Sequence, residues 1–527
     1  MNGNRDCIEI GEGQSSSNFT MVEFIFAISM IICGFLYSDL IFFSDMGLGV
    51  LVFVLALFTS TLYYFNKNQI KQSRESLLWI GIVAIGSVQF MLFDDYRIKE
   101  VNLLFISICF IYWVSISNKN CIESKLSIYT IWDLINNTFV IPFSNFAKGS
   151  YGLKYGLSRN KHSKNIQYIL VGIAIVLPLM IFVINQLISA DAAFEATIVN
   201  FENLISFETL LDYVIQFALG IPVASYLFGL IYGNVKKCNV SSMDKKDLIK
   251  FSEEISFFPR LTIYTVLTVL NIIYIIFFIS QMAYFLSAFD NVLPGGFTYA
   301  EYARRGFFEL CKVSFVNLML ITLAHIFIKK DGKTKFTKVL RVETAFLSLM
   351  TMGLIVTALS KMCMYIQSYG LTQLRIYTSW CMILMLVFFT VIFTRQIIEF
   401  NAARIIIASG VIGVIILSYG NIDGNIAKYN IKNYENGRLE KIDYNMLLSL
   451  SDGAVPYIYE HYKKIENEEV RYMLYNKIGY NSIPEESTSI AENIKEFNMQ
   501  SYRANQIRNE IRKDGSSFKI DTYEMGE

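Results

Sequence analysis

The 527 residues are 54% hydrophobic and only 17% charged, with 46 basic side chains against 45 acidic ones for a net charge of +1, and the mean hydropathy is +0.41. A soluble domain carries about a quarter charged residues, so this composition excludes a disordered chain, a disulfide mini-domain and a plain cytosolic enzyme. The near-zero net charge gives no reason to expect nucleic acid as a partner; the apolar excess calls for a lipid bilayer.

Residues 1–21 form a short polar tail with Ser15, Ser16 and Ser17 and no basic start, so no cleavable signal peptide is expected. A spanning helix takes roughly 20 apolar residues. Eleven runs qualify, near 22–40, 48–65, 77–93, 101–116, 166–188, 211–232, 261–287, 310–328, 342–366, 378–397 and 402–420. Glu23 and Asp39 sit near the two ends of the first run. The transmembrane bundle therefore occupies 22–420 and defines an all-α, polytopic fold.

Lys and Arg collect in loops that stay in the cytoplasm. The loops around Lys67–Arg74, Lys119–Lys164, Lys236–Arg260 and Lys329–Arg341 are rich in them, whereas 41–47 and 189–210 contain none. This alternation puts the N-terminus inside and the C-terminus outside, in a multi-pass membrane protein. Residues 126–143 are apolar enough to resemble a twelfth span, but Asp133, Asn136 and Asn137 would then lie mid-bilayer. Ile128, Ile131, Trp132, Ile135 and Phe139 recur at helical spacing, so within the 117–165 loop a helix is expected on the inner surface; a loop helix packed under the bundle is the plainer equivalent. Trp79, Trp113 and Trp380 fall at predicted span ends, where indoles favour the headgroup zone.

From residue 421 to 527 charges of both signs return, and a small α-helical domain outside the cytoplasm is expected to dock on the bundle. Asp452-Gly453 and Pro456 mark a turn and a helix start. A helix over 467–478 has Asn467 as N-cap, an apolar stripe of Val470, Met473, Leu474 and Ile478, and Gly479 as its stop. A second helix is predicted over 488–513. The eight cysteines include no C-x-x-C pair and the three histidines are far apart, so neither a disulfide, a metal site nor a cofactor is expected.

Ionisable residues in the membrane zone are costly and mark candidate sites. By this topology Asp191, Glu301, Arg304, Arg305, Lys361, Tyr365 and Arg375 gather at the outer face. Each has a plainer reading. Thr298 and Glu301 form a capping box, Lys361 can snorkel outward, and Asp191 can serve a loop or cap. Asn271, Gln281 and Asn317 suit hydrogen bonds between helices. Pro178 and Pro222 lie mid-span and can kink their helices, although proline is tolerated in spans whose neighbours satisfy the freed backbone. There is no Walker loop, no G-x-S-x-G elbow and no H-E-x-x-H helix.

Several strings then read together: Ser189–Phe194, Phe297–Phe308, Lys361–Arg375, Ile426–Ile431 and Leu448–Pro456. Over roughly 165–460 the chain resembles a bacterial multi-pass membrane family known as domain of unknown function 4173, related to domain 4153. Where that family shows Arg before Met-x-x-Tyr, this chain has Lys361. A lysine keeps the charge but not bidentate recognition. The resemblance implies a bacterial plasma membrane and brings no activity. Three classes of function compete. The favoured one is a non-enzymatic scaffold or sensor whose outer face binds an envelope protein or small ligand. The alternative is a secondary transporter or channel gated at Pro178 and Pro222. A membrane enzyme using Glu301 or Asp191 comes third.

Overall fold

The computed structural model describes residues 19–158, 207–238, 256–289, 307–329, 337–480 and 494–514, with isolated helical positions between them. Run five with Pro178, and Asp191, Glu301, Arg304 and Arg305, lie outside the described residues.

Helices α1 (Met21–Tyr37), α2 (Leu48–Lys67), α3 (Arg74–Leu92) and α4 (Tyr96–Ser117) come first. Short helices α5 (Thr130–Ile135) and α6 (Ile141–Ser144) and then α7 (Lys148–Ser158) follow. The long helices are α8 (Phe207–Lys236), α9 (Arg260–Phe289), α10 (Phe307–Phe327), α11 (Lys338–Tyr369), α12 (Gln373–Ile397) and α13 (Ala402–Tyr419). Beyond them come α14 (Ile422–Glu435), α15 (Tyr444–Leu448), α16 (Val455–Tyr462), α17 (Glu468–Tyr480) and α18 (Met499–Asp514). Ten described helices are long and apolar enough to cross a membrane, one for every predicted run except the fifth. The protein is an all-α, polytopic membrane helix bundle.

The bundle holds two apolar packs. One unites α1–α4 with α8 around Phe26, Tyr64, Trp113 and Phe228. The other unites α9–α12 around Leu347, Ile355 and Phe389. In the first, α1 and α8 cross closely because both present glycine. A Cβ on Gly34 would fall on the Gly220 carbonyl oxygen and lie 2.9 Å from Ala224 Cβ. Close backbone approach at small residues is how spans gain packing energy without a hydrophobic drive between them. In the second, Asn317 Nδ2 donates to Thr351 Oγ1 at 2.9 Å, and Asn271 Nδ2 donates to Glu343 Oε2 at 2.7 Å. Both asparagines therefore serve packing, as expected.

The acids of the first span are both paired. Glu23 caps α1 through the Thr20 backbone N–H at 2.9 Å, is 1% exposed, and takes an ion pair from Lys236 at 2.8 Å. At the other end α1 loosens into a π-helical turn, Ser38–Phe42, which presents Asp39 to Lys495 at 3.2 Å. The fourth span is longer than the sequence indicates because its polar start is satisfied by protein. Lys99, 1% exposed, donates to the Asp45 carbonyl at 2.9 Å and pairs with Asp94 at 3.2 Å.

Residues 130–144 are a broken helix of α5, a π-helical turn and α6 rather than a span. Asp133 and Asn137 face inward, Asp133 accepting from the Ile122 N–H at 3.1 Å and Asn137 donating to Ser115 Oγ at 3.0 Å. Burial pushes the Asp133 carboxyl up to about 6. Ile128, Ile131, Trp132, Ile135 and Phe139 share the exposed face.

Three expectations change. Trp79 and Trp113 are buried in the first pack, and Trp113 Nε1 donates to Gln72 Oε1 at 3.1 Å, so their rings face protein rather than headgroups. Cys238 is disulfide-bonded, for which sequence spacing gives no sign. The helix expected over 488–513 is broken at 496–498, and α18 starts afresh at Met499 with Asn498 accepting from the Ser501 N–H at 2.8 Å. The break exists because this segment lies on the bundle: the Phe497 carbonyl accepts from the Leu48 N–H at 2.9 Å. The helix predicted from Asn467 forms as α17, capped by Asn467 through the Val470 N–H at 3.2 Å, and runs one residue past Gly479.

Candidate functional site

The C-terminal domain has its own core of Leu447, Ile458, Leu474, Ala504 and Ile511. It sits on the ends of α1, α3, α11 and α13 and the starts of α2, α4 and α12. The Lys- and Arg-rich loops lie at the opposite ends of these helices. The last span runs into the domain through two residues, Gly420 and Asn421; Asn421 takes the left-handed conformation, φ 42°, which asparagine tolerates better than most side chains.

The turn between α11 and α12 is the first anchor. Gly370 adopts φ +76°, a conformation open to glycine, and a Cβ there would collide with Asn430 Oδ1. Asn430, on α14 and 3% exposed, clamps Leu371 from both sides. Its Oδ1 accepts the Leu371 N–H at 2.6 Å and its Nδ2 donates to the Leu371 carbonyl at 2.8 Å. Ile426 packs beneath, with Ile98, Leu417 and Ile422.

The second anchor is polar. Asn498 Nδ2 donates to Asp94 Oδ1 at 3.1 Å. Gln500 accepts from the Asp94 N–H at 2.9 Å and donates to Asn421 Oδ1 at 2.8 Å. Beside it Asp95 caps α4 through the Ile98 N–H at 3.2 Å and accepts from Tyr377 Oη at 2.9 Å. Asp423 accepts from Gln373 Nε2 at 2.7 Å and from the Ser451 N–H at 2.8 Å. Burial, and then the charge of Asp423, raise the Asp95 carboxyl above its usual range. Burial also raises Asp94, with Lys99 pulling the other way. The void among these groups is about 10 Å³, room for a single water, so this junction is closed.

Of the predicted outer cluster, the structure brings Tyr365 and Arg375 together. The Arg375 guanidinium lies 4.1 Å from the centre of the Tyr365 ring, a cation–π contact. Its Nη1 donates to the carbonyls of Tyr369, at 3.0 Å, and Gly370. A cation at the last carbonyls of a helix is favourable, so Arg375 closes α11. Thr372 starts α12 by accepting from the Arg375 N–H at 3.4 Å. Next to this pair is a cleft of about 270 Å³, lined by Phe307, Phe308, Met362, Tyr365, Thr372 and Arg375. Lys361 lies one turn before Tyr365 on α11, within electrostatic reach of Glu309. Pro222 lies elsewhere, on the wall of an apolar cavity in the first pack. Among the described residues no group of His, Cys, Asp or Glu is arranged to hold a metal.

Sequence reading missed Asp94, Asp95, Lys99, Lys495 and Gln500. Their partners are up to 456 residues away, and no local spacing announces them. Asn430 and Ser451 stand inside strings that carried the resemblance; two of those strings meet here, Leu371 with Asn430, while Ser451 meets Asp423, which lies just before one of them.

The family described as Domain of unknown function (DUF4153) matches residues 53–461. The chain belongs to this family. The resemblance named 4173 first; it is 4153 that matches. Neither a curated protein nor a solved structure matches the chain. In this DUF4153 protein the match ends at His461, so Asn498 and Gln500 at the start of α18, which complete the polar anchor, lie beyond it.

Proposed function

We propose that this DUF4153 protein is a non-enzymatic sensor or scaffold of a bacterial plasma membrane, with its helical domain on the extracytoplasmic side. The observation that carries the reading is the double anchorage. Asn430 holds the domain to the second pack, and Lys495, Asn498 and Gln500 hold it to the first. A ligand in the Arg375–Tyr365 cleft would press on the turn that Asn430 clamps, and so bear on the domain. The cleft offers one cation, a hydroxyl at Thr372 and aromatic walls, which suits a small anionic group or an acidic peptide end from an envelope partner. The segregation of Lys and Arg to the ends away from the domain supports the orientation. The transporter reading has less support, because Pro222 borders an apolar cavity and not a polar path.

Two measurements test this. Asn436→Cys, on an exposed turn of the domain, in a cysteine-free variant should react with an impermeant thiol reagent in intact cells; labelling only after lysis overturns the orientation. A photo-crosslinking residue at Thr378, on the cleft wall, should recover one partner or ligand from living cells, and should lose it in Arg375→Ala. A crosslinker that captures nothing, or an adduct indifferent to Arg375, overturns the sensor reading.

A further inference from the structure

The first pack contains a cavity of about 450 Å³ between α1, α2, α4 and α8, a size usual for small-molecule sites. Its walls are hydrocarbon: Phe53, Leu57, Ile106, Phe110, Leu227 and Leu230 among them. The polar side chains on the described wall are Tyr37, Ser107 and Tyr226, and the last two are spent locally. Ser107 Oγ donates to the Leu103 carbonyl at 2.7 Å and Tyr226 Oη donates to the Thr138 carbonyl at 3.1 Å. Nothing on the described lining is charged, so a polar or ionic solute would lose its hydration without replacement.

The cavity also reaches the outside of the bundle. Ser107, Pro222, Phe143 and Phe146 line it and are at the same time exposed. Phe143 stands 5.9 Å from Tyr226 edge to face, and 6.2 Å from Phe146. These two phenylalanines continue the exposed apolar face of Ile131, Ile135 and Phe139. The opening is therefore lateral and apolar, on helices that cross a membrane. Leu103 to Ile111 on α4 and Pro222 to Leu230 on α8 each cover eight residue steps of the wall, or about 12 Å at 1.5 Å per residue. That is close to one leaflet of a hydrocarbon core roughly 30 Å thick.

We propose that this cavity holds one acyl chain of a bilayer phospholipid, entering sideways between Ser107 of α4 and Pro222 of α8. The chemistry is that of a hydrocarbon tail: apart from the Tyr37 hydroxyl the described wall is apolar or already bonded, the length fits one leaflet, and the mouth opens where tails are. The inference is independent of the sensor reading, because the cavity lies in the first pack and the Arg375 cleft in the second.

The full chain, reconstituted in vesicles of phosphatidylethanolamine and phosphatidylglycerol containing a trace of phosphatidylglycerol with a diazirine in its acyl chain, tests the proposal. Photolysis and peptide mapping should place adducts on 53–57, 106–111 and 223–230 at several-fold the level found on the exposed faces of α9 and α13. Ser107→Trp at the mouth should reduce the adducts at least tenfold. Leu104→Trp, on the exposed face of the same helix, should leave them unchanged and so controls for folding. Labelling spread evenly over all exposed helix faces, or undiminished in Ser107→Trp, overturns the proposal. Displacement of the adducts by a polyprenyl phosphate but not by excess unlabelled phosphatidylglycerol overturns the phospholipid assignment.

Discussion

Asn430→Ala is the sharpest probe of how the domain is held. The substitution removes both bonds to the Leu371 backbone and leaves that N–H and carbonyl to find water at a half-buried turn. An unsatisfied buried polar group costs about 1–3 kcal/mol; with two groups, each partly reachable by water, the docked state should lose about 2–4 kcal/mol. Every 1.4 kcal/mol is a factor of about ten, so the undocked population should rise roughly 30- to 1,000-fold. Hydrogen exchange in nanodiscs reads this directly. The amides bonded across the junction, Leu48 to the Phe497 carbonyl and Asp94 to Gln500, should exchange faster by that factor, while those inside α2 and α4 hold their protection. The domain core around Leu447 and Ile458 lies away from Asn430's contact, so the domain itself should stay folded. Protection at Leu48 and Asp94 unchanged from the parent protein would refute the clamp, as would a loss confined to residue 371.

Other consequences are equally direct. Gly34→Leu should force α1 from α8 and cost about 1–3 kcal/mol as overpacking, seen as a lower thermal midpoint; Gly81→Leu, with nothing within 4 Å of its added Cβ, should leave the midpoint in place. Lys236→Met strands the buried Glu23 carboxylate and should cost about 3 kcal/mol, whereas Glu23→Gln should cost about 1, because Lys236 is 32% exposed and can turn to water; equal effects on chemical denaturation would contradict the asymmetry. The raised Asp95 carboxyl binds its proton more readily in the folded than in the unfolded chain. Its contribution therefore grows as pH falls from neutrality through that raised value and is complete below the usual carboxylate range. The thermal midpoint should rise on going from about pH 7.5 to about pH 5 by this route, and Asp95→Asn should flatten the rise; an identical pH slope in the variant would remove Asp95 from the account.

The spans were legible because each is a local fact: twenty or so apolar residues must be helical in a bilayer to satisfy their own backbone. Ten described helices follow the predicted runs within a few residues. The ends were less legible, since Lys99 and Glu23 extend their helices only by virtue of Asp94, Asp45 and Lys236, which arrive from elsewhere in the chain. The same reason hid the broken helix at 496–498. Its period of apolar residues suits a continuous helix, and only Leu48 and Asp94 explain why the chain opens there. For the site, Arg375 and Tyr365 were found by type and position, but their first task is to close α11. Asp94 and Gln500 carry no signal that a single sequence could reveal. That the 130–144 segment is helical without being a span was legible, because Asp133 and Asn137 fall on one side of a helix and the apolar residues on the other; its break at the π-helical turn was not.

The pairing of Asp39 with Lys495 has a consequence in time. The first span is among the earliest parts of the chain to be made, yet the partner of its far end is synthesised 456 residues later. Glu23, at the near end, meets Lys236 much sooner. The first helix is thus seated at one end once Lys236 has been made and fastened at the other only when Lys495 arrives. A ribosome stalled between the two leaves a bundle whose first span is still unclasped.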